Sequence, residues 1–142
     1  MTNSPDSTAA DIPEGFEDSG FSGRYLGHVG PYYLKHTDTG ILVGLRIEEK
    51  HINYVDIAHG GVLTTLADVA LSLQVHRSEE PPLGVTTISL NTSFLGPAKL
   101  GDWLIADARI DRKGKRIAYT SGEIRSGDKV IMTMTGVFNI MR

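Results

Sequence analysis

The stretch that decides the fold runs from residue 59 to residue 76 and reads HGGVLTTLADVALSLQVH. Apolar side chains occupy almost every turn of this segment, which is typical of a helix that is buried on nearly all sides. A modest polar seam follows a spacing of three and four residues, and it comprises Gly61, Thr64, Thr65, Asp68 and Ser72. We therefore expect the core to be built around this one helix.

Two adjacent glycines, Gly60 and Gly61, stand where this helix is predicted to begin. Inside a helix each would cost about 1 kcal/mol relative to alanine, whereas at the entrance a glycine lets another molecule approach the backbone closely. The first N–H groups of a helix lack internal partners and lie at its positive dipole end, so Gly60 can offer an N–H to a carbonyl oxygen that gains negative charge. Asp68, two turns on, can direct a water or attack a carbonyl carbon. This combination indicates acyl chemistry.

Strand-like segments lie on both sides of the helix. Before it, residues 28–36 (HVGPYYLKH) predict an edge strand and residues 41–47 (ILVGLRI) a second strand. After it, short turns join four strand-like segments into a predicted antiparallel meander, over residues 85–95, 102–111, 117–125 and 129–141. One long central helix wrapped by an antiparallel sheet of five to six strands is an α+β architecture.

Length and composition describe one ordinary domain. Residues 1–22 of the 142 are rich in Ser, Thr, Asp, Pro and Gly and predict a disordered arm, followed by the domain at residues 23–142. The net charge of −3 argues against nucleic-acid binding. The chain has no cysteine, and its histidines lack metal-ligand spacing, so we expect no metal site. Without a bilayer-length apolar run or a signal peptide, we expect a cytoplasmic protein with no membrane partner.

The order of elements and two motifs resemble the hotdog-fold acyl-CoA thioesterases of the phenylacetate-pathway type, which include thioesterase superfamily member 13. The first motif is Asn53-x5-His59-Gly60-Gly61-x6-Asp68. The second, over residues 87–98, reads T-x-S-L-x-x-S-F-L-G-P-A, where this branch usually reads T-x-D-L-x-x-N-Y-L-R-P-A. Two departures therefore bear on substrate preference or CoA contacts: a missing acid at Ser89 and a missing basic residue at Gly96.

The resemblance implies an acyl-CoA or aryl-CoA thioester hydrolase without a cofactor, since coenzyme A is part of the substrate. It implies that Gly60 offers its N–H to the thioester oxygen and that Asp68 is the nucleophile or the general base. Asn53 would hold the water or the thioester, His59 would orient the carbonyl or its surroundings, and Thr87 would assist the acid and water. The implied CoA contacts are the turn residues Phe94, Pro97 and Lys99 and the basic hairpin Arg112, Lys113, Gly114, Lys115 and Arg116.

The spacing between Gly60 and Asp68 predicts an oligomer. Eight residues on a helix span about 12 Å along its axis, which is far more than the distance between a thioester carbon and its oxygen. One helix therefore cannot supply both groups to one substrate. A second, antiparallel copy brings its own acid beside the first glycine, so we predict a two-fold homodimer with two shared sites, alone or in a tetramer of two dimers. The identity of the acyl group stays open.

Other functions and other roles remain alternatives, because a fold does not by itself decide function. A CoA hydratase of the same fold usually carries a different Asp and His pair in a longer motif, which is not found in this sequence. A non-catalytic acyl-CoA-binding protein would keep the cleft without hydrolysis, although the presence of both Gly60 and Asp68 disfavours it. His59 could instead cap the helix, and Asn53 could cap a turn.

Overall fold

The computed structural model of the protein describes residues 12–142. Helix α1 spans Arg24–Val29, helix α2 spans Gly60–His76, and a 3-10 turn spans Glu49–His51. Seven strands occur within the described residues: β1 Glu17–Asp18, β2 Tyr32–Thr37, β3 Gly40–Arg46, β4 Gly84–Phe94, β5 Trp103–Lys113, β6 Ile117–Ser126 and β7 Lys129–Met141. They form one antiparallel sheet in the order β1-β2-β3-β5-β6-β7-β4.

The core lies between α2 and the sheet. Leu66, Ala67, Ala70 and Leu71 of the helix are fully buried, and the helix contacts strands β3 to β7. The facing strands contribute fully buried side chains, among them Val43, Leu45, Leu104, Ile124, Met132 and Phe138. Fully burying one side chain of this size contributes about 1.5–3 kcal/mol. The predicted buried helix and α+β architecture are confirmed, with one strand more than the five to six expected.

The additional strand is β1, and it lies in the segment predicted to be a disordered arm. Glu17 pairs with Leu34 of β2, and the ring of Phe16 packs edge-on against Trp103 with 5.2 Å between the ring centroids. Residues 12–22 therefore pack on the domain, whereas residues 1–11 lie outside the described residues. A two-residue strand is too short to show a periodicity, and the aromatic contact that anchors it is distant in sequence.

The predicted first strand at residues 28–36 is wrong in its first half. His28 and Val29 belong to helix α1, and the strand begins only at Tyr32. Pro31 separates the two elements, since proline has no N–H to continue the helix.

Strand β4 ends the sheet on one side and carries a β-bulge. Within the described residues it pairs with β7 alone, and the register shifts between Thr87 and Ser89. The bulge leaves Ile88 out of the ladder with 55% of its surface exposed. An extra residue reverses the alternation of side chains beyond it. Leu90 therefore shares the helix-facing side with Thr87 and not with Ile88.

Candidate active site

Asp68 opens into a cleft that we call the acid cleft. Thr87, placed by the bulge in β4, donates a hydrogen bond from Oγ1 to Asp68 Oδ1 at 2.7 Å. The cleft has a volume of about 510 Å³ and is lined by Tyr25, Leu26, Thr64, Thr65, Asp68, Val69, Ser72, Thr87 and Leu90. The polar seam of α2 thus faces this cleft, and the half-buried carboxylate has an oriented hydroxyl donor beside it. The predicted pairing of Thr87 with the acid is present in the structure.

Gly60 opens into a second cleft, which we call the glycine cleft. Its volume is about 440 Å³, and its lining consists of Asn53, Ile57, Ala58, Gly60, Leu63, Phe94, Leu95, Gly96, Pro97 and Ala98. The N–H of Gly60 has no hydrogen-bond partner among residues 12–142. A Cβ built on Gly60 would lie 3.5 Å from the Phe94 ring, so the glycine keeps the cleft open beside its N–H.

Asn53 combines a structural role with an exposed donor. Its Oδ1 accepts hydrogen bonds from the N–H of Val55 at 2.9 Å and of Ile57 at 3.2 Å, which closes the loop before α2. Its Nδ2 has no partner in the described part of the chain, and the side chain lines the glycine cleft. The alternative of a turn cap is therefore confirmed, and the amide donor remains available to a ligand.

His59 caps helix α2. Its Nδ1 accepts a hydrogen bond from the N–H of Gly61 at 2.8 Å, and its backbone N–H donates to the carbonyl of His51 at 2.8 Å. The exposed imidazole lines neither cleft. Because the cap uses the N–H of Gly61, it leaves that of Gly60 as the free donor of the first turn. A direct contact between His59 and the thioester stays a prediction.

The predicted CoA contacts fall into two separate groups. Phe94 and Pro97 line the glycine cleft, and Lys99 follows on the same loop with its side chain exposed. This loop is held against the entrance to α2 by a hydrogen bond from the N–H of Ala58 to the carbonyl of Ala98 at 2.8 Å. The turn after β4 and the start of α2 therefore form one continuous wall.

The basic hairpin, Arg112 to Arg116, lies at the opposite end of α2. Lys113 Nζ donates to Glu79 Oε2 at 2.9 Å and to Ser78 Oγ at 3.0 Å, just beyond the C-terminal end of the helix. A helix of 17 residues is about 24 Å long, so one chain does not bring the hairpin to the glycine cleft. Lys113 is engaged by the carboxylate of Glu79, and its contact with CoA stays a prediction.

Glu79 is the centre of this polar cluster. Arg142 donates to both of its carboxylate oxygens, at 3.0 and 3.2 Å, and Lys113 adds the third hydrogen bond. Hydrogen bonds first from Arg142 and then from Lys113 lower the pKa of Glu79 to about 2. The cluster ties Arg142 to the end of α2, and none of its residues lines either cleft.

The sequence prediction missed the contribution of α1 to the acid cleft. Tyr25 and Leu26 form one wall, and the Tyr25 hydroxyl hydrogen-bonds Thr65 Oγ1 at 2.9 Å. A six-residue helix flanked by glycines shows no periodicity from which this wall could be inferred.

The described residues contain no group of three or more His, Cys, Asp or Glu side chains arranged to hold a metal ion. None of the helices within residues 12–142 is long and apolar enough to cross a membrane.

The two clefts carry chemically complementary groups. The glycine cleft offers two hydrogen-bond donors at a helix N-terminus, which is an arrangement suited to a developing oxyanion. The acid cleft offers a carboxylate with an oriented hydroxyl, which is suited to activating water or to direct attack.

Known proteins show the same fold and related sequences. Residues 56–133 match the sequence profile of the thioesterase superfamily. A provisionally named esterase of Pseudomonas aeruginosa is 39% identical over 130 residues, which cover 91% of this chain and 97% of that protein. Human acyl-coenzyme A thioesterase 13 is 30% identical over 84 residues, 59% of each chain.

Solved structures agree with this assignment. A Bacillus halodurans protein solved with CoA superposes with a TM-score of 0.76 at 26% identity, covering 86% of this chain and 82% of that one. The Escherichia coli PaaI protein of the phenylacetic acid degradation operon has the same fold, with a TM-score of 0.67 at 23% identity over 72% of each chain. The predicted resemblance to hotdog thioesterases is thus confirmed. The chain belongs to the thioesterase superfamily and is a thioester hydrolase with the hotdog fold.

Proposed function

We propose that the protein hydrolyses acyl-CoA or aryl-CoA thioesters at two equivalent sites, each shared between the subunits of a homodimer. In each site, the Gly60 N–H and the Asn53 amide of one subunit bind the carbonyl oxygen. Asp68 of the partner subunit, held by its own Thr87, activates the water or attacks the carbonyl carbon. The coenzyme A bound to the Bacillus halodurans structure and the name of the human relative support CoA as the thiol component.

The observation that carries this proposal is the separation of the two clefts within one chain. The donors line the glycine cleft and the acid lines the acid cleft, with no residue common to both linings. Eight helical residues separate Gly60 from Asp68, a rise of about 12 Å along α2. Neither cleft alone contains the parts that thioester hydrolysis needs, so the reaction requires that a second copy complete each site.

The free edge of the sheet supports a dimer of this geometry. Within the described residues, β4 pairs on one side only, and an unpaired strand edge is a template for another strand. Thr87 lies near one end of β4 and Phe94 at the other, and they belong to the acid and glycine clefts respectively. An antiparallel pairing of two β4 edges would bring the acid cleft of each subunit beside the glycine cleft of the other. It would also set the two α2 helices antiparallel.

The chemistry of such a site follows from its donors. As a nucleophile adds to the thioester carbon, the carbonyl oxygen gains negative charge and the two donors stabilise it. Collapse of this intermediate breaks the C–S bond and releases the CoA thiolate, which takes up a proton. If water attacked, the free acid is left; if Asp68 attacked, a mixed anhydride with Asp68 is left, and water then hydrolyses it to the acid and regenerates the carboxylate. Removing one donor of this kind typically lowers the rate about 100-fold or more. General-base activation of water and direct attack by Asp68 both fit this arrangement.

A subunit-mixing experiment tests the shared site. Asn53→Asp keeps the oxygen that accepts the Val55 and Ile57 N–H groups but removes the amide donor, and Asp68→Ala removes the acid. We expect each variant alone to release almost no thiol from a panel of acyl- and aryl-CoA esters. Equal amounts mixed by co-expression should recover about one quarter of wild-type activity. Half of the dimers are then mixed, and each mixed dimer holds one intact site.

Several results would contradict the proposal. If co-expression recovers no activity although mixed dimers form, the donors and the acid act within one chain. If wild-type protein binds CoA esters without releasing thiol, it is an acyl-CoA-binding protein. If it adds water to an unsaturated acyl-CoA and leaves the thioester intact, it is a hydratase of the same fold.

A further inference from the structure

Lys129 lies over the loop that forms one wall of the glycine cleft. A Cβ built on Gly96 would lie 3.3 Å from Lys129 Cε and 3.5 Å from Lys129 Nζ. Both N–H groups at positions 95 and 96 donate to the carbonyl of Ile131, which keeps the loop beside the first residues of β7. The ammonium group therefore occupies the space beside Gly96, the position at which the second sequence motif lacks its usual basic residue.

The charge of Lys129 is available to a ligand. Its side chain is exposed, and it forms no ion pair with any residue of the described chain, including the preceding Asp128. Lys99, on the same loop, is likewise exposed and without an ion pair among residues 12–142. Lys113 and Arg142, by contrast, are held by the carboxylate of Glu79.

The glycine cleft itself has no charged lining residue. Its lining combines apolar side chains with the Gly60 N–H and the Asn53 amide, which suits an uncharged chain and a thioester. An anionic group on the same ligand must therefore be recognised at the rim, where the Lys129 ammonium lies beside Gly96. In a chain of net charge −3, a cation without a carboxylate partner is a local point of attraction for an anionic ligand.

We propose that Lys129 binds a phosphate group of the CoA nucleotide, in place of the basic side chain absent at position 96. This inference rests on the proposed function and adds to it the residue that recognises the anionic part of the substrate. A lysine ammonium binds phosphate as a point charge, so its position in space matters more than its place in the sequence.

The test compares the same acyl group carried by CoA, by 3′-dephospho-CoA and by pantetheine, which has no phosphate. For Lys129→Ala we expect the KM for acyl-CoA to rise about five- to tenfold with kcat unchanged, since a charged hydrogen bond at an exposed site is lost. The KM for acyl-pantetheine should not change. If the rise in KM is also seen with the 3′-dephospho-CoA ester, Lys129 contacts the diphosphate. If the rise is absent with that ester, Lys129 contacts the 3′-phosphate. Both results support the proposal. Lys35→Ala, a lysine on β2, is the matched control.

A positional rescue makes the test specific. In the Lys129→Ala background, the space beside Gly96 is free, so Gly96→Lys should restore the KM for acyl-CoA to near the wild-type value. An unchanged KM in Lys129→Ala, or an equal rise with acyl-pantetheine, would overturn the assignment while leaving the proposed hydrolysis intact.

Direct titration with CoA separates the two hypotheses further. If wild type binds CoA but hydrolyses no ester, the proposed function fails, and a weaker Kd for Lys129→Ala still supports the phosphate contact. If wild type neither binds CoA nor releases thiol, both proposals fail.

Discussion

The contact between Thr87 and Asp68 provides the sharpest single prediction. Thr87→Val removes the hydroxyl that donates to Asp68 Oδ1 at 2.7 Å and keeps the β-branched shape that suits strand β4. Hydrogen bonds to charged groups contribute about 1.5–3 kcal/mol, and the exposure of this pair places it at the lower end. With about 1.4 kcal/mol per tenfold change in rate, we expect kcat to fall about 10-fold with little change in KM.

The assay is thiol release from an acyl-CoA ester, with the thermal midpoint of unfolding measured in parallel. Thr86→Val, the adjacent exposed threonine whose side chain lies on the other face of β4, should retain wild-type kcat. The double variant Thr87→Val with Asp68→Ala should be no slower than Asp68→Ala alone, because the hydroxyl acts through the carboxylate. Wild-type kcat in Thr87→Val, or an equal loss in Thr86→Val, would refute the assigned contact.

Three further predictions concern the glycine cleft, the polar cluster and the sheet. Gly60→Ala places a methyl group 3.5 Å from the Phe94 ring, so the helix should fold normally while kcat/KM falls at least about 10-fold as the N–H donor is obstructed. The pKa of Glu79 is about 2, against an ordinary value of 4.5. Its hydrogen bonds with Arg142 therefore stabilise the fold above pH 4.5, and this stabilisation is lost as the pH falls towards 2. In an acid titration, the Glu79→Gln variant should lose less stability across that range than the wild type. Gly122→Ala would press a methyl group against the backbone of β5, and urea denaturation should show a loss of about 1–3 kcal/mol.

Much of the fold was predictable because its signals are local. Apolar residues on nearly every turn predict the buried helix, which spans Gly60–His76 as expected. Short turns with glycine between strand-like segments predict the last three strands, and the observed β5, β6 and β7 agree closely with the predicted ranges. Helical and strand patterns each depend on residues a few positions apart, so these elements can be predicted from a single sequence.

The elements that were missed depend on contacts between distant residues. Strand β1 lies beside the contact of Phe16 with Trp103, and α1 lines the acid cleft with Tyr25, whose hydroxyl hydrogen-bonds Thr65. The bulge at Ile88 has no sequence signal, since one extra residue in a ladder is defined only by the partner strand. It nevertheless decides which residues of β4 face the helix.

The sequence alone predicts the architecture, the family resemblance and the candidate residues for acyl chemistry. It also determined that Gly60 and Asp68 lie too far apart on one helix to serve one thioester, since helical rise follows directly from residue count. The tertiary structure alone decided that these two residues open into separate clefts, that Lys113 is held by Glu79, and that Lys129 lies beside Gly96. Long-range strand pairing and side-chain packing decide which groups meet in space. Local sequence patterns do not encode these contacts, because the residues that meet are far apart in the chain.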